Sequence, residues 1–189
     1  MNSRLFSALI TIAVCIASLP AFADDFMRFE ADSTTINFAT YSEAGYTATP
    51  NASQVNIEDP GAGDDGRLVM RTFTNLKPNV TVTNDNNDPF ELVSLDIDEF
   101  VTGHVTPPRG FFVDASSGAS HQFTGTGLVD FSLIAGDWTN LSSITFRYEG
   151  VSSTEVLAVD NIRLSAIPEP ATLLLTVLAG AGMLLRRRA

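Results

Sequence analysis

The chain has 189 residues, with 22 Asp and Glu against 11 Lys and Arg, a formal net charge of −11 and a single cysteine. That length holds one domain, and the acidic balance argues against nucleic acid or anionic lipid as a partner, because both require a basic footprint. One cysteine cannot supply a disulfide framework.

In chain order, Arg4 precedes an apolar run from Leu5 to Leu19, which closes on Ala21-Phe22-Ala23 ahead of Asp24-Asp25. A basic start, a short apolar stretch and a small-x-small end predict a secretory signal peptide over residues 1–23, with Ala21 and Ala23 read by signal peptidase and cleavage after Ala23. The run falls short of the about 18 to 20 residues of a stable membrane span. Cys15 lies inside it, away from the boundary where a lipoprotein acceptor would stand, so it reads as apolar filler. The mature chain then has no thiol for catalysis.

Residues 24–165 form the predicted domain, with 21 Asp and Glu against 7 Lys and Arg, long enough for a core without staples. Short strands are expected at Phe26–Glu30, Thr34–Phe38, Leu68–Phe73, Val80–Thr83, Phe90–Ile97, Gly110–Val113, His121–Phe123, Leu128–Leu133, Ser142–Tyr148 and Val156–Leu164. Alternation supports them, as where Ile144, Phe146 and Tyr148 interleave with Thr145 and Arg147. Turn-rich stretches such as Asn84 to Pro89 and Thr106 to Gly110 separate them. Many short strands with no amphipathic helix predict an all-β fold, a sandwich or barrel rather than an α/β fold.

After Ser165 the composition changes: Ile167-Pro168-Glu169-Pro170, fifteen uncharged and mostly apolar residues from Ala171 to Leu185, then Arg186-Arg187-Arg188-Ala189. A helix over 171–185 spans about 22 Å against a hydrocarbon core of about 30 Å. It is a marginal span that snorkelling arginines would assist. The arginines belong on the cytoplasmic side, which leaves the acidic domain outside. The two prolines favour an extended segment ahead of the helix, open to an enzyme.

The tripeptide Pro168-Glu169-Pro170, the short helix and the Arg186 to Arg188 cluster together resemble the PEP-CTERM sorting signal. The resemblance covers about 23 residues and implies recognition and cleavage by an exosortase, a membrane-embedded cysteine transpeptidase of Gram-negative bacteria that make exopolysaccharide. An ordinary single-span tail anchor is the alternative. Phe90 to Asp96, Trp138 to Phe146 and Val159 to Leu164 resemble strands of jelly-roll β-sandwiches similar to carbohydrate-binding modules. That second resemblance implies a structural calcium between an acidic residue of the first strand and an Asp of the last, here Glu30 and Asp160. The other reading of this pair is a solvated strand end and a turn cap or Arg partner.

Sugar binding would use aromatic platforms, and the candidates are Trp138, Tyr41, Tyr46 and Tyr148, with Trp138 expected in the core and Tyr41 and Tyr46 expected as exposed rings. For catalysis the inventory is thin. His104 and His121 are too few for a three-histidine zinc site. No Gly-x-Ser-x-Gly elbow occurs. Ser116, Ser117 and Ser120 fall in a Ser/Gly/Ala loop, and Asp96 and Asp98 share one strand face as acidic strands do by default.

The expectation is an exported, transiently membrane-anchored surface or extracellular-matrix protein with a non-catalytic sandwich that binds glycan or calcium and needs no certain cofactor. Its partners would be signal peptidase, an exosortase-type transpeptidase and exopolysaccharide. A passive structural component of the exopolysaccharide layer and a small glycan-active enzyme are the other readings. Retention on polysaccharide, its absence with normal matrix incorporation, or turnover lost with one carboxylate would separate the three.

Overall fold

The computed structural model describes residues 24–29, 38–51, 55–58, 66–72, 77–150 and 154–167. Asp24–Ile167 is a compact unit of its own. Among the described residues there are twelve strands and no α-helix: β1 Asp24–Met27, β2 Tyr41–Glu43, β3 Tyr46–Pro50, β4 Val55–Glu58, β5 Arg67–Arg71, β6 Asn79–Asn84, β7 Phe90–Val101, β8 Gly110–Ala115, β9 Ser120–Gln122, β10 Gly127–Asp130, β11 Ser143–Glu149 and β12 Val156–Ala166. None of those residues forms a helix long and apolar enough to cross a membrane.

The strands form two antiparallel sheets. Sheet A has the order β10-β7-β12-β5-β4, with β1 also on β12; sheet B has the order β2-β3-β6-β11-β8-β9. Their sequences explain the layering. In β6 and β11 every second residue is buried, so, apart from Asn84 at the end of β6, the strands turn Val, Ile, Phe or Tyr inward and an amide, hydroxyl or charge outward. The two inner faces meet through aromatic rings: Tyr46 of sheet B lies edge-on to Phe90 of sheet A at 5.4 Å, and Phe100 of sheet A to Phe111 of sheet B at 6.3 Å. The expected all-β fold is therefore observed, in the two-layer arrangement of a β-sandwich.

β12 is the central strand of sheet A. One side pairs with β7, and the other pairs with β5 at Val156–Val159 and with β1 at Ile162–Ser165. Between these stretches the register with β7 shifts and Asn161 takes a positive φ of 47°, a conformation that asparagine tolerates. The pairing defines two poles. At one, Asp24 lies beside Ser165 and Phe90 beside Ala166; at the other, Val101 lies beside Val156.

Several boundaries differ from expectation. β1 stops at Met27, short of Glu30, because the Arg28 and Phe29 N–H groups turn to the Glu43 carboxylate at 2.8 and 2.9 Å and Phe29 takes φ 55°. Of the expected strand Thr34–Phe38 only Phe38 is described, and it lies outside any strand. The expected strand Leu128–Leu133 breaks after Asp130, whose carboxylate accepts the Ser132 N–H at 2.9 Å and opens a 3-10 turn over Phe131–Leu133. The β2–β3 hairpin and β4 were not expected. The hairpin turns on Ala44-Gly45, both at positive φ, the two-residue geometry that matches strand twist.

Glu43 joins the sheets, since it sits on β2 and accepts from the backbone that follows β1, with the Tyr41 hydroxyl as a third donor at 3.2 Å. Hydrogen bonds to a charged acceptor contribute about 1.5 to 3 kcal/mol each when broken on one side. Glu43→Ala is predicted to lower unfolding stability by about 2 kcal/mol, read as a lower urea midpoint at unchanged slope. An unmoved midpoint would show that water replaces this carboxylate at no cost.

Candidate functional site

The predicted metal residue Asp160 lies on β12 and is 7 % exposed. Its Oδ1 accepts the Asn161 N–H at 2.6 Å and its Oδ2 accepts the Asn161 Nδ2 at 3.1 Å, so the positive-φ residue beside it fixes the carboxylate. In register, Asp160 faces Asp96 of β7. Two carboxylates directly opposite repel, and they are the hard oxygen donors that calcium prefers. Asp160 and Asp96 thus bring two oxygen-donor side chains into register at one place on sheet A. The other predicted ligand, Glu30, lies outside the described residues, as do Ala21, Ala23, Pro168, Glu169, Pro170 and Arg186 to Arg188. No group of three His, Cys, Asp or Glu side chains is gathered as a metal site among the described residues.

The aromatic candidates are placed differently from expectation. Trp138 is buried in the core as expected, in ring contact with Phe131 at 4.5 Å. Tyr46, expected as an exposed ring, is fully buried, because in β3 it alternates with Thr47 and shares the inward side with Ala48; burial pushes its phenol up from the ordinary value. Tyr148 is also buried. Tyr41 is half-buried and packs on Phe29 at 5.4 Å. None of these four rings forms an open stacking platform.

The pole opposite Asp24 and Ser165 holds a cluster that sequence reasoning left as isolated residues. Glu155, immediately before β12, is 4 % exposed and lies 2.7 Å from His104 Nδ1. It also accepts the Gly103 N–H at 3.2 Å, while its own backbone N–H donates to Thr72 Oγ1 at 3.0 Å. Burial opposes the charged carboxylate, but Tyr148, His104, Thr102 and the Gly103 N–H outweigh it and hold Glu155 below the usual carboxylate range. The cluster ties the loop after β7 to the start of β12. His104 and Glu155 are 51 residues apart, so no local spacing could have signalled the pair.

His121, the other histidine, stands edge-on to Phe123 at 5.6 Å and Phe131 at 6.1 Å. Burial pushes its imidazole below the ordinary value. The two histidines lie in separate clusters, His104 on Glu155 and His121 on Phe123 and Phe131. In the Ser loop, Ser116 Oγ accepts the Ser142 N–H at 2.9 Å and Ser120 Oγ donates to Asp114 at 2.5 Å, which are structural tasks. Asp96 is half-buried on β7 and Asp98 exposed.

The described residues thus define an acidic, all-β, two-sheet domain with a buried carboxylate–histidine pair at one pole. Compared with known proteins, the chain matches no family model, no curated protein and no solved structure.

For both His121 and Glu155 the folded state favours the deprotonated form, so their contribution is present above the unfolded pKa and is lost as pH falls through the folded one. Replacing His121 with Phe is predicted to give a stability curve that gains on the wild type as pH falls below about 6.5. The advantage of wild type over Glu155→Gln is predicted to hold above about pH 4.3 and to shrink below it. Urea midpoints measured across pH would test both, and parallel curves would show that neither group titrates differently on folding.

Proposed function

We propose that this protein is an exported surface or extracellular-matrix component, delivered by a signal peptide over residues 1–23 and sorted through a PEP-CTERM-like tail by an exosortase-type transpeptidase. On this reading Pro168, Glu169 and Pro170 are the recognised motif, residues 171–185 a transient membrane helix and Arg186 to Arg188 its cytoplasmic stop. The acidic domain is a jelly-roll-like, non-catalytic sandwich that binds glycan or calcium outside the cell. The observation that carries the reading is the pairing of Asp24 with Ser165. It lets the signal-peptide junction and the tail junction leave the domain at one pole, which suits a module held by its tail. The net charge of −11 further suits an exported solute in a cation-containing medium.

The test is intact mass of the protein from its own host, beside the same host carrying Pro168→Ala and Pro170→Ala. Loss of the first 23 residues and of the segment after about Pro170, with the tail retained in the variant, is the expected result. An intact tail in both would leave a membrane-anchored domain and sink the sorting reading.

Calcium binding at Asp160 is tested separately. Because an ion that binds only the folded state stabilises by mass action, added CaCl2 should raise the melting temperature of wild type and leave Asp160→Asn unmoved. No rise in wild type would dismiss the ion.

A further inference from the structure

The outward face of sheet B carries a grid of hydroxyl groups, bordered by Asp85, which accepts from Thr47 Oγ1 at 2.6 Å, and by Arg147 paired with Asp114 and Glu149. Thr47 of β3, Thr83 of β6 and Ser143 of β11 stand opposite one another in register and make one row across the strands. Thr49, Thr81 and Thr145 of the same three strands make the next. Neighbours within a row are about 4.8 Å apart, and the two rows are about 6.7 Å apart along the strands. Hydroxyls within each row are coupled, as Thr81 Oγ1 and Thr145 Oγ1 lie 3.1 Å from each other and Ser42 Oγ lies 2.6 Å from Thr47 Oγ1. Where the second row reaches β8 it meets Asp114, which is paired with Arg147; the guanidinium carbon lies over the Phe112 ring, 4.4 Å from its centroid. That is a rigid planar donor and acceptor pair at the end of the hydroxyl grid.

The six hydroxyl positions themselves carry no charge, which is unusual for the molecule. The domain carries 21 acidic residues against 7 basic ones, and sheet A turns ionised groups outward, with Glu58 taking Arg67 and Arg71 and Arg67 also reaching Glu99. Six hydroxyl positions on three adjacent strands, with the nearest carboxylates tied to Thr47 and to Arg147, make a surface of neutral donors and acceptors.

We propose that this face binds an uncharged polysaccharide lying along the two rows, across the strands. The proposal deepens the glycan reading above and rests on it. Threonine and serine hydroxyls both donate and accept, as sugar hydroxyls do, so rows of them match a chain of sugars without requiring a stacking ring. An anionic polysaccharide is disfavoured because the domain's own field repels it. Binding by exchange of water for neutral hydrogen bonds is weak per contact and insensitive to salt, in contrast to an ionic interface.

The test uses the full chain in non-ionic detergent, electrophoresed through native gels that contain hydroxyethyl cellulose, dextran or alginate. Retardation by a neutral polymer but not by alginate, unchanged on adding NaCl, is the expected result. The triple variant Thr81→Val, Thr83→Val and Thr145→Val keeps β-branched residues on the strands and should weaken retardation at least tenfold, three neutral hydrogen bonds being lost. Arg67→Gln on the other sheet should bind as wild type does. Circular dichroism and the urea midpoint report whether the triple variant is folded; if it is not, Thr145→Lys alone serves, since one charge in the row should abolish neutral binding. Undiminished retardation of a folded variant would overturn the assignment of this face while the glycan reading stands. Retardation by alginate alone would overturn the neutral ligand, and retardation by none of the three would overturn both.

Discussion

The pairing of β12 with β7 is the constraint on which the rest depends. These are the two longest strands, 11 and 12 residues, and β12 also holds β5 and β1 on its other side. Without β12, sheet A has no centre: β7 would keep β10, β5 would keep β4, and β1 would have no partner in the sheet. The pairing of Asp24 with Ser165 joins residues at opposite ends of the domain sequence, a contact whose loop-closure entropy must be met before it stabilises anything. A chain threaded across a membrane from its N-terminus therefore stays open until its last strand emerges. That is compatible with export of an unfolded chain.

Sheet B can organise earlier, because its hairpins β2–β3 and β8–β9 are local, and its β6–β11–β8 centre is complete before β12 appears. The two sheets then differ in what they turn outward. Sheet A presents carboxylates bridged by arginines, among them the Glu58, Arg67 and Arg71 group. Such half-exposed ion pairs contribute little to stability individually. Sheet B presents rows of hydroxyls over an inner layer of Val82, Ile144 and Phe146, with Arg147 beside them paired to Asp114 and Glu149. The same alternation builds both layers, so the difference lies entirely in which polar residue occupies the outward positions, a choice that folding leaves free and that function can use.

Much of this layering was legible along the chain. Strong alternation located the strands around Val80, Phe90, Ile144 and Val159, because a period of two with β-branched and aromatic residues has few other readings. The β2–β3 hairpin escaped because its turn, Ala44-Gly45, lacks the Asn-Gly or Asp-Gly signal and its strands are rich in small polar residues. That miss also misplaced Tyr46: in a segment read as loop it looked exposed, whereas in a strand its partner Ala48 shows which side is inward. The strand expected through Leu133 failed at Asp130, where a side-chain cap competes with the ladder. For the candidate sites, alternation places Thr145 outward, but Thr47 and Thr49 lie in the hairpin that escaped, and the rows need the register of three strands. His104 and Glu155 needed the whole of sheet A to bring residues 51 apart within 2.7 Å.

Geometry links the hydroxyl rows of sheet B to the junctions at Asp24 and Ser165. The strands run from the pole where Asp24 meets Ser165 toward the pole held by Glu155 and His104, so a row across the strands lies at right angles to the axis from one pole to the other. A polymer seated on such a row crosses the flank of a domain held at its Ser165 pole and does not pull along the junction. Since each neutral hydrogen bond nets little against water, one domain grips such a polymer weakly. Many domains held side by side on one surface present parallel rows to the same polymer, and their effective concentration converts weak contacts into retention. The value of a sorting tail to such a face would then be to set the density at which the face works.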